Sequence, residues 1–112
     1  MMRAEDVQQI AKFRLGACLD TLERKAEEYA EESDPLHNFV RAGAMLGCSP
    51  ARVLVGMWAK HVISILDIVD RTDRGETVRA ELIEEKVTDA ICYLILLEAM
   101  LRFQNSSMEV DQ

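Results

Sequence analysis

Apolar side chains recur at helical spacing through the first third of the chain. Val7, Ile10, Phe13, Ala17, Leu22, Ala26 and Tyr29 follow one another mostly at three- or four-residue steps, with one step of five. That period predicts one long helix over Glu5 to about Glu32. Ser33-Asp34-Pro35 ends it, because the residue before a proline is pushed out of the helical region. Leu36 to Leu46 predicts a short second helix with Leu36, Phe39, Val40 and Ala44 facing inward. Gly47-Cys48-Ser49-Pro50 then stops and restarts the chain, with Ser49 placed as an N-cap and Pro50 at the first helical position. From Pro50 to about Val69 the pattern is apolar nearly all round, the mark of a helix buried on most sides. Asp70 to Glu76 reads as a polar turn around Gly75. A last long helix runs from Thr77 or Val78 to about Phe103, apolar almost all round after Ala90.

These elements predict an all-α four-helix bundle: two long outer helices, one short helix and one buried central helix. Residues 1–103 form a single domain and 104–112 a flexible C-terminal tail. Helices three and four are more apolar than one chain of this size can cover, so a homo-oligomer, dimer or tetramer, is expected through them.

Composition narrows the class. The chain has 112 residues, with 2 Pro and 5 Gly, too little turn punctuation for a many-stranded β fold. A net charge of −7 disfavours binding to the nucleic-acid backbone. Cys18, Cys48 and Cys92 are odd in number and widely spaced, which disfavours a disulfide scaffold or a thiolate zinc site. Cys48 and Cys92 lie in apolar context and read as inert core thiols. The longest apolar run, Ala90 to Leu97, is far short of a bilayer span, and Met1 to Ile10 is polar and charged. A cytoplasmic protein with no membrane partner is expected.

Charge is distributed unevenly. Residues 35–66 hold Arg41, Arg52 and Lys60, both histidines and no acid, whereas the flanking segments are strongly acidic. Within the apolar third helix, Lys60, Ser64 and Asp67 share one stripe, with His61 beside it. On the fourth, Glu85 and Asp89 lie one turn apart, with Tyr93 a further turn on. A charged stripe on a buried helix is costly unless it is paired, metal-bound or facing a wet cleft. Asp67, Glu85 and Asp89 could hold Mg²⁺ between facing helices, with Lys60 and His61 donating to phosphate. The plainer reading pairs Lys60 with Glu85 or Asp89 and leaves Asp67 in solvent. Asn38, in the segment joining helices one and two, is a candidate contact or a local cap.

Four runs together carry a resemblance: Lys25-x-x-x-Tyr29; Asp34-Pro35-Leu36-His37-Asn38-Phe39; Lys60-His61-x-x-Ser64-Ile65-x-Asp67; and Glu85-Lys86-x-x-Asp89-x-x-x-Tyr93-Leu94. Their order resembles small phage and prophage proteins similar to the MazG-like all-α nucleoside triphosphate pyrophosphatase group and its nucleotide-modification-associated relatives. The resemblance covers about residues 20–101. It implies an oligomeric helical bundle in which acids on facing helices bind Mg²⁺ and help water cleave a (d)NTP to the monophosphate and pyrophosphate. Carried onto this chain, it implies Asp67, Glu85 and Asp89 as metal and catalytic residues. Lys60, His61, Asn38 and Lys25 would contact substrate. The group's EExxE and ExxD elements correspond here to Glu27-Glu28-x-x-Glu31 and Glu85-x-x-x-Asp89, an altered spacing. The alternative is a non-enzymatic helical homo-oligomer acting as a protein-binding adaptor.

Overall fold

The computed structural model describes residues 1–28 and 36–110. Four helices follow in order: α1 Ala4–Glu28, α2 His37–Leu46, α3 Pro50–Asp73 and α4 Ala80–Val110. No strand occurs among the described residues. The predicted extension of helix one to Glu32 and the break at Ser33-Asp34-Pro35 lie outside the described residues.

Local chemistry accounts for the ends. The Ser49 hydroxyl accepts from the Arg52 N–H at 3.1 Å, and Pro50 opens α3, as the sequence predicts. Gly47 closes α2 in the left-handed region at φ 71°, where a side chain would strain the backbone. Gly75 does the same after α3 at φ 83°. There the Arg71 and Arg74 guanidinium groups meet Glu76 at 3.6 and 2.9 Å.

α4 is the hub: α1 and α3 pack on it, and α2 packs on α3. Arg14 meets Glu84 and Thr88, and Cys18 meets Thr88 and Cys92, so partner positions advance together and α1 runs parallel to α4. The start of α3, Val53 and Leu54, sits with Met100, whereas His61 sits with Asp89, so α3 and α4 are antiparallel. The main core is Phe39, Val53, Leu54 and Met100, ringed by Leu36, Ala42, Tyr93, Leu96 and Leu97.

Four expectations change. First, α3 is not a buried central helix within one chain. Val53 and Leu54 are buried, but Val55, Met57, Ile63, Leu66 and Val69 are exposed. Its apolar surface exceeds what α2 and α4 can cover. Second, α2 turns inward on Phe39, Ala42 and Gly43, while Val40 and Ala44 are exposed. Gly43 sets that register. A Cβ there would stand 2.6 Å from the Cys48 carbonyl oxygen, so only glycine lets the turn into α3 close so tightly. Third, α3 continues to Asp73 through the first half of the predicted polar turn, and α4 starts at Ala80 and continues to Val110, through most of the expected tail. Fourth, Cys48 is exposed, and the buried thiols are Cys18 and Cys92.

Candidate functional site

Between α1 and the α2/α3 pair, above α4, lies a cleft of about 200 Å³. Its geometry follows from the packing. Among the described residues α1 touches α4 but neither α2 nor α3, so a gap opens along its C-terminal half. Every helix contributes a wall: Lys25 from α1, Asn38 and Phe39 from α2, Met57 from α3, Asp89 and Tyr93 from α4.

Tyr93 organises the floor. Phe39 meets its ring edge-on, with centroids 6.2 Å apart and planes at 85°. His61 lies over it at 4.7 Å, tilted by 35°. The His61 Nδ1 also stands 4.0 Å from an Asp89 carboxylate oxygen. His61 is thus tethered to two cleft residues without lining the cleft. One apolar surface and one acid therefore lie side by side, with an exposed ammonium, Lys25, at the rim.

Behind the cleft, Cys18 and Cys92 form the dry seam between α1 and α4. The Cys92 thiol donates towards the Cys18 carbonyl at 3.8 Å, and the Cys18 thiol towards the Thr88 carbonyl at 3.9 Å. Burial, reinforced by the neighbouring Cys18 thiol, pushes Cys92 up to about 11. It is a protonated packing group at neutral pH, as expected for a core thiol.

The structure brings some of the sequence-derived candidates together and leaves others apart. Asp89, Lys25 and Asn38 share the cleft, and His61 joins them through Asp89 and Tyr93. Lys60, Asp67 and Glu85 are exposed and line no part of it. The Lys60 carbonyl accepts the Ser64 hydroxyl within α3, and the side chain that stands beside Asp89 is His61, at 4.0 Å. Among the described residues no group of three or more His, Cys, Asp or Glu side chains converges as a metal site would require. Glu27 is exposed near the end of α1, and Glu31 lies outside the described residues. Thr21 and Met57 are lining residues that the sequence did not signal. Tyr93 was signalled, by its place on the Glu85/Asp89 stripe.

No family model matches this chain, and neither a curated protein nor a solved structure matches it significantly. No helix among the described residues is long and apolar enough to cross a membrane.

Proposed function

We propose that this protein binds a nucleotide in the cleft between α1 and the α2/α3/α4 core. The observation that carries the reading is the convergence of Lys25, Asn38 and Asp89, from three helices, on one cleft walled by Phe39 and Tyr93. Apolar walls with a few convergent polar groups are the usual make-up of a small-molecule site. The Asp89 carboxylate accepts from ring N–H or sugar hydroxyl groups, and the Asn38 amide both donates and accepts. Phe39 and Tyr93 give a heterocycle an aromatic surface. At about 200 Å³ the cleft is smaller than the roughly 300–1,000 Å³ of drug-sized pockets, so it takes the ring and sugar and leaves phosphates at the rim beside Lys25.

The MazG-like resemblance also implies Mg²⁺. Among the described residues Asp89 is the only carboxylate lining the cleft. Mg²⁺ takes oxygen ligands in octahedral array, usually with one or two carboxylates plus substrate phosphates and waters. Among the described residues no second acid stands beside the first, so these residues offer the minimum at most. Binding is therefore the reading the geometry supports.

Thermal unfolding with a panel of NTPs and dNTPs, each with and without Mg²⁺, tests the proposal. One nucleotide class should raise the midpoint, by the equivalent of about 2.7 kcal/mol at a hundredfold excess over Kd. Lys25→Ala should weaken the response to triphosphates more than to the nucleoside, and Asp89→Asn should weaken both. No shift with any nucleotide at millimolar concentration overturns the reading. Pyrophosphate release on the stabilising nucleotide separates binding from hydrolysis.

A further inference from the structure

The polar side chains that line the cleft differ in what they can tell apart. Thr21 and Tyr93 carry hydroxyls and Asn38 an amide, and each of these both donates and accepts. They adapt to whichever edge a ligand presents. The Cys92 thiol is already directed at the Cys18 carbonyl. Two groups have a fixed sense. Lys25 only donates, and it stands exposed at the rim. Asp89, as a carboxylate, only accepts, and it is the only acid in the lining among the described residues. Selection among ligands of similar shape therefore falls to Asp89.

Its setting leaves it free to select. His61 Nδ1 approaches one carboxylate oxygen, Oδ2, at 4.0 Å, and no hydrogen bond engages either oxygen among the described residues. The Asp89 side chain is 37% exposed, partly shielded yet open to the cleft. Shielding from water makes a mismatched polar contact more costly. Asp89 also lies one helical turn before Tyr93, so the carboxylate and the ring share one side of α4. A flat heterocycle resting on the Phe39 and Tyr93 surface then turns its edge, not its face, towards the carboxylate.

The edges of the bases differ in a way a carboxylate reads. Its two oxygens lie side by side and accept two parallel N–H bonds. It is satisfied by two adjacent donors on one edge. Guanine has such a pair, N1–H and the N2 amino group. Adenine sets its amino group beside the N1 lone pair, and cytosine sets its own beside the N3 lone pair. Each gives one bond and opposes a lone pair to the second oxygen. Uracil and thymine flank a single N–H with two carbonyl oxygens. A site whose buried polar group is left unmatched rejects the wrong ligand strongly.

We infer that the cleft selects guanine: Asp89 accepts from N1–H and the N2 amino group of a guanine nucleoside or nucleotide, with any phosphate towards Lys25. This rests on the nucleotide reading of the cleft and names the base that reading leaves open.

Isothermal titration calorimetry of the full chain with nucleoside monophosphates tests it. Guanosine monophosphate should bind most tightly. Inosine monophosphate keeps N1–H but lacks the N2 amino group, and should bind about tenfold more weakly. The adenosine, cytidine and uridine monophosphates should be weaker still. Asp89→Asn is the sharper arm. An amide sets one donor beside one acceptor, which mismatches guanine and matches xanthine, whose N1–H adjoins a carbonyl. The variant should bind guanosine monophosphate about tenfold more weakly and xanthosine monophosphate more tightly than the wild type does. Such a reversal does not arise from a loosened fold, and circular dichroism checks that the helices persist. If the variant does not fold, the guanosine-to-inosine ratio on the wild type decides. A wild type that binds all bases alike, or that prefers adenine, cytosine or uracil, overturns the inference and leaves the nucleotide reading standing. So does an Asp89→Asn variant that weakens every nucleotide equally, which would place the carboxylate on the sugar hydroxyls. Binding of no nucleotide overturns both.

Discussion

Two seams of different make hold α4. Against α2 and α3 it packs large apolar side chains: Leu54 is fully buried, Met100 is 3% exposed, and Phe39 and Val53 complete the cluster. Against α1 it offers small and polar groups instead: Cys92, Thr88 and the Arg14 hydrogen bond to the Thr88 hydroxyl at 2.9 Å. The first seam draws three helices into one core. The second fixes one helix against one partner and no further. α1 consequently stands off from α2 and α3, the cleft opens in the gap, and Val7, Ile10 and Phe13 stay exposed. Stability is concentrated in the seam with large side chains, and room for a ligand arises from the one with small ones.

The sharpest way to break this contrast is Leu54→Ala. Leu54 is 0% exposed within the core cluster, and truncation of such a residue costs about 2–5 kcal/mol. Chemical denaturation should show that loss. An equally large cost for Cys18→Ala on the α1 side would mean that the two seams are energetically alike.

Gly43→Ala comes next. The new methyl would meet the Cys48 carbonyl, part of the backbone, which cannot swing aside as a side chain can. The expected cost is about 1–3 kcal/mol, reduced by the better helix propensity of alanine. Gly56→Ala, also in a helix but with nothing within 4 Å, should instead gain about 0.5–1 kcal/mol. Opposite signs for the two glycines in thermal unfolding check that close approach, not glycine as such, sets the α2/α3 turn.

On the α1 side, Arg14→Ala removes the donor to Thr88, whose side chain is buried, at an expected cost of about 1 kcal/mol. The Arg14–Glu84 contact at 3.8 Å adds little, since Glu84 is exposed. Thr88→Val in the Arg14→Ala background should then cost little more, which a double-mutant cycle would show.

The smallest effect is a pH dependence. The Cys92 thiol is raised from 9.0 to about 11 in the folded chain. Below pH 9 it is protonated in both states and contributes its full stabilising share. Between pH 9 and 11 the unfolded chain releases the proton and the folded one keeps it, so stability falls as pH rises across that window. Cys92→Ala should flatten this part of the alkaline unfolding curve. In the wild-type protein at pH 8, a thiol reagent should label exposed Cys48 well before Cys18 or Cys92.

Much of the fold was legible because its signals are local. Ser49-Pro50 and Gly47 act on neighbouring backbone, and both appear where the sequence put them. Of the face predicted to turn inward, Leu36 and Phe39 do so and Val40 and Ala44 do not, since periodicity ranks Phe39 and Val40 alike. The clash that a Cβ at position 43 would make with Cys48 depends on how the next helix folds back. Of the candidate site, Asp89, Lys25 and Asn38 were legible as polar residues in apolar or joining segments. Lys60, Asp67 and Glu85 showed the same signal and lie outside the cleft, because spacing along a helix says which residues share a stripe and not what that stripe meets.

The sequence by itself determined that the chain is helical, where α2 ends and α3 begins, and that α3 and α4 carry more apolar surface than one chain covers. Those properties depend on residues within a few positions of one another, through periodicity, capping and composition. Only the tertiary structure decided that α1 runs parallel to α4 and leaves a cleft beside it. It also decided that His61 stands beside Asp89 and over Tyr93. These depend on contacts between residues tens of positions apart, such as Arg14 with Thr88, and on the sizes of the side chains that set how closely two helices approach.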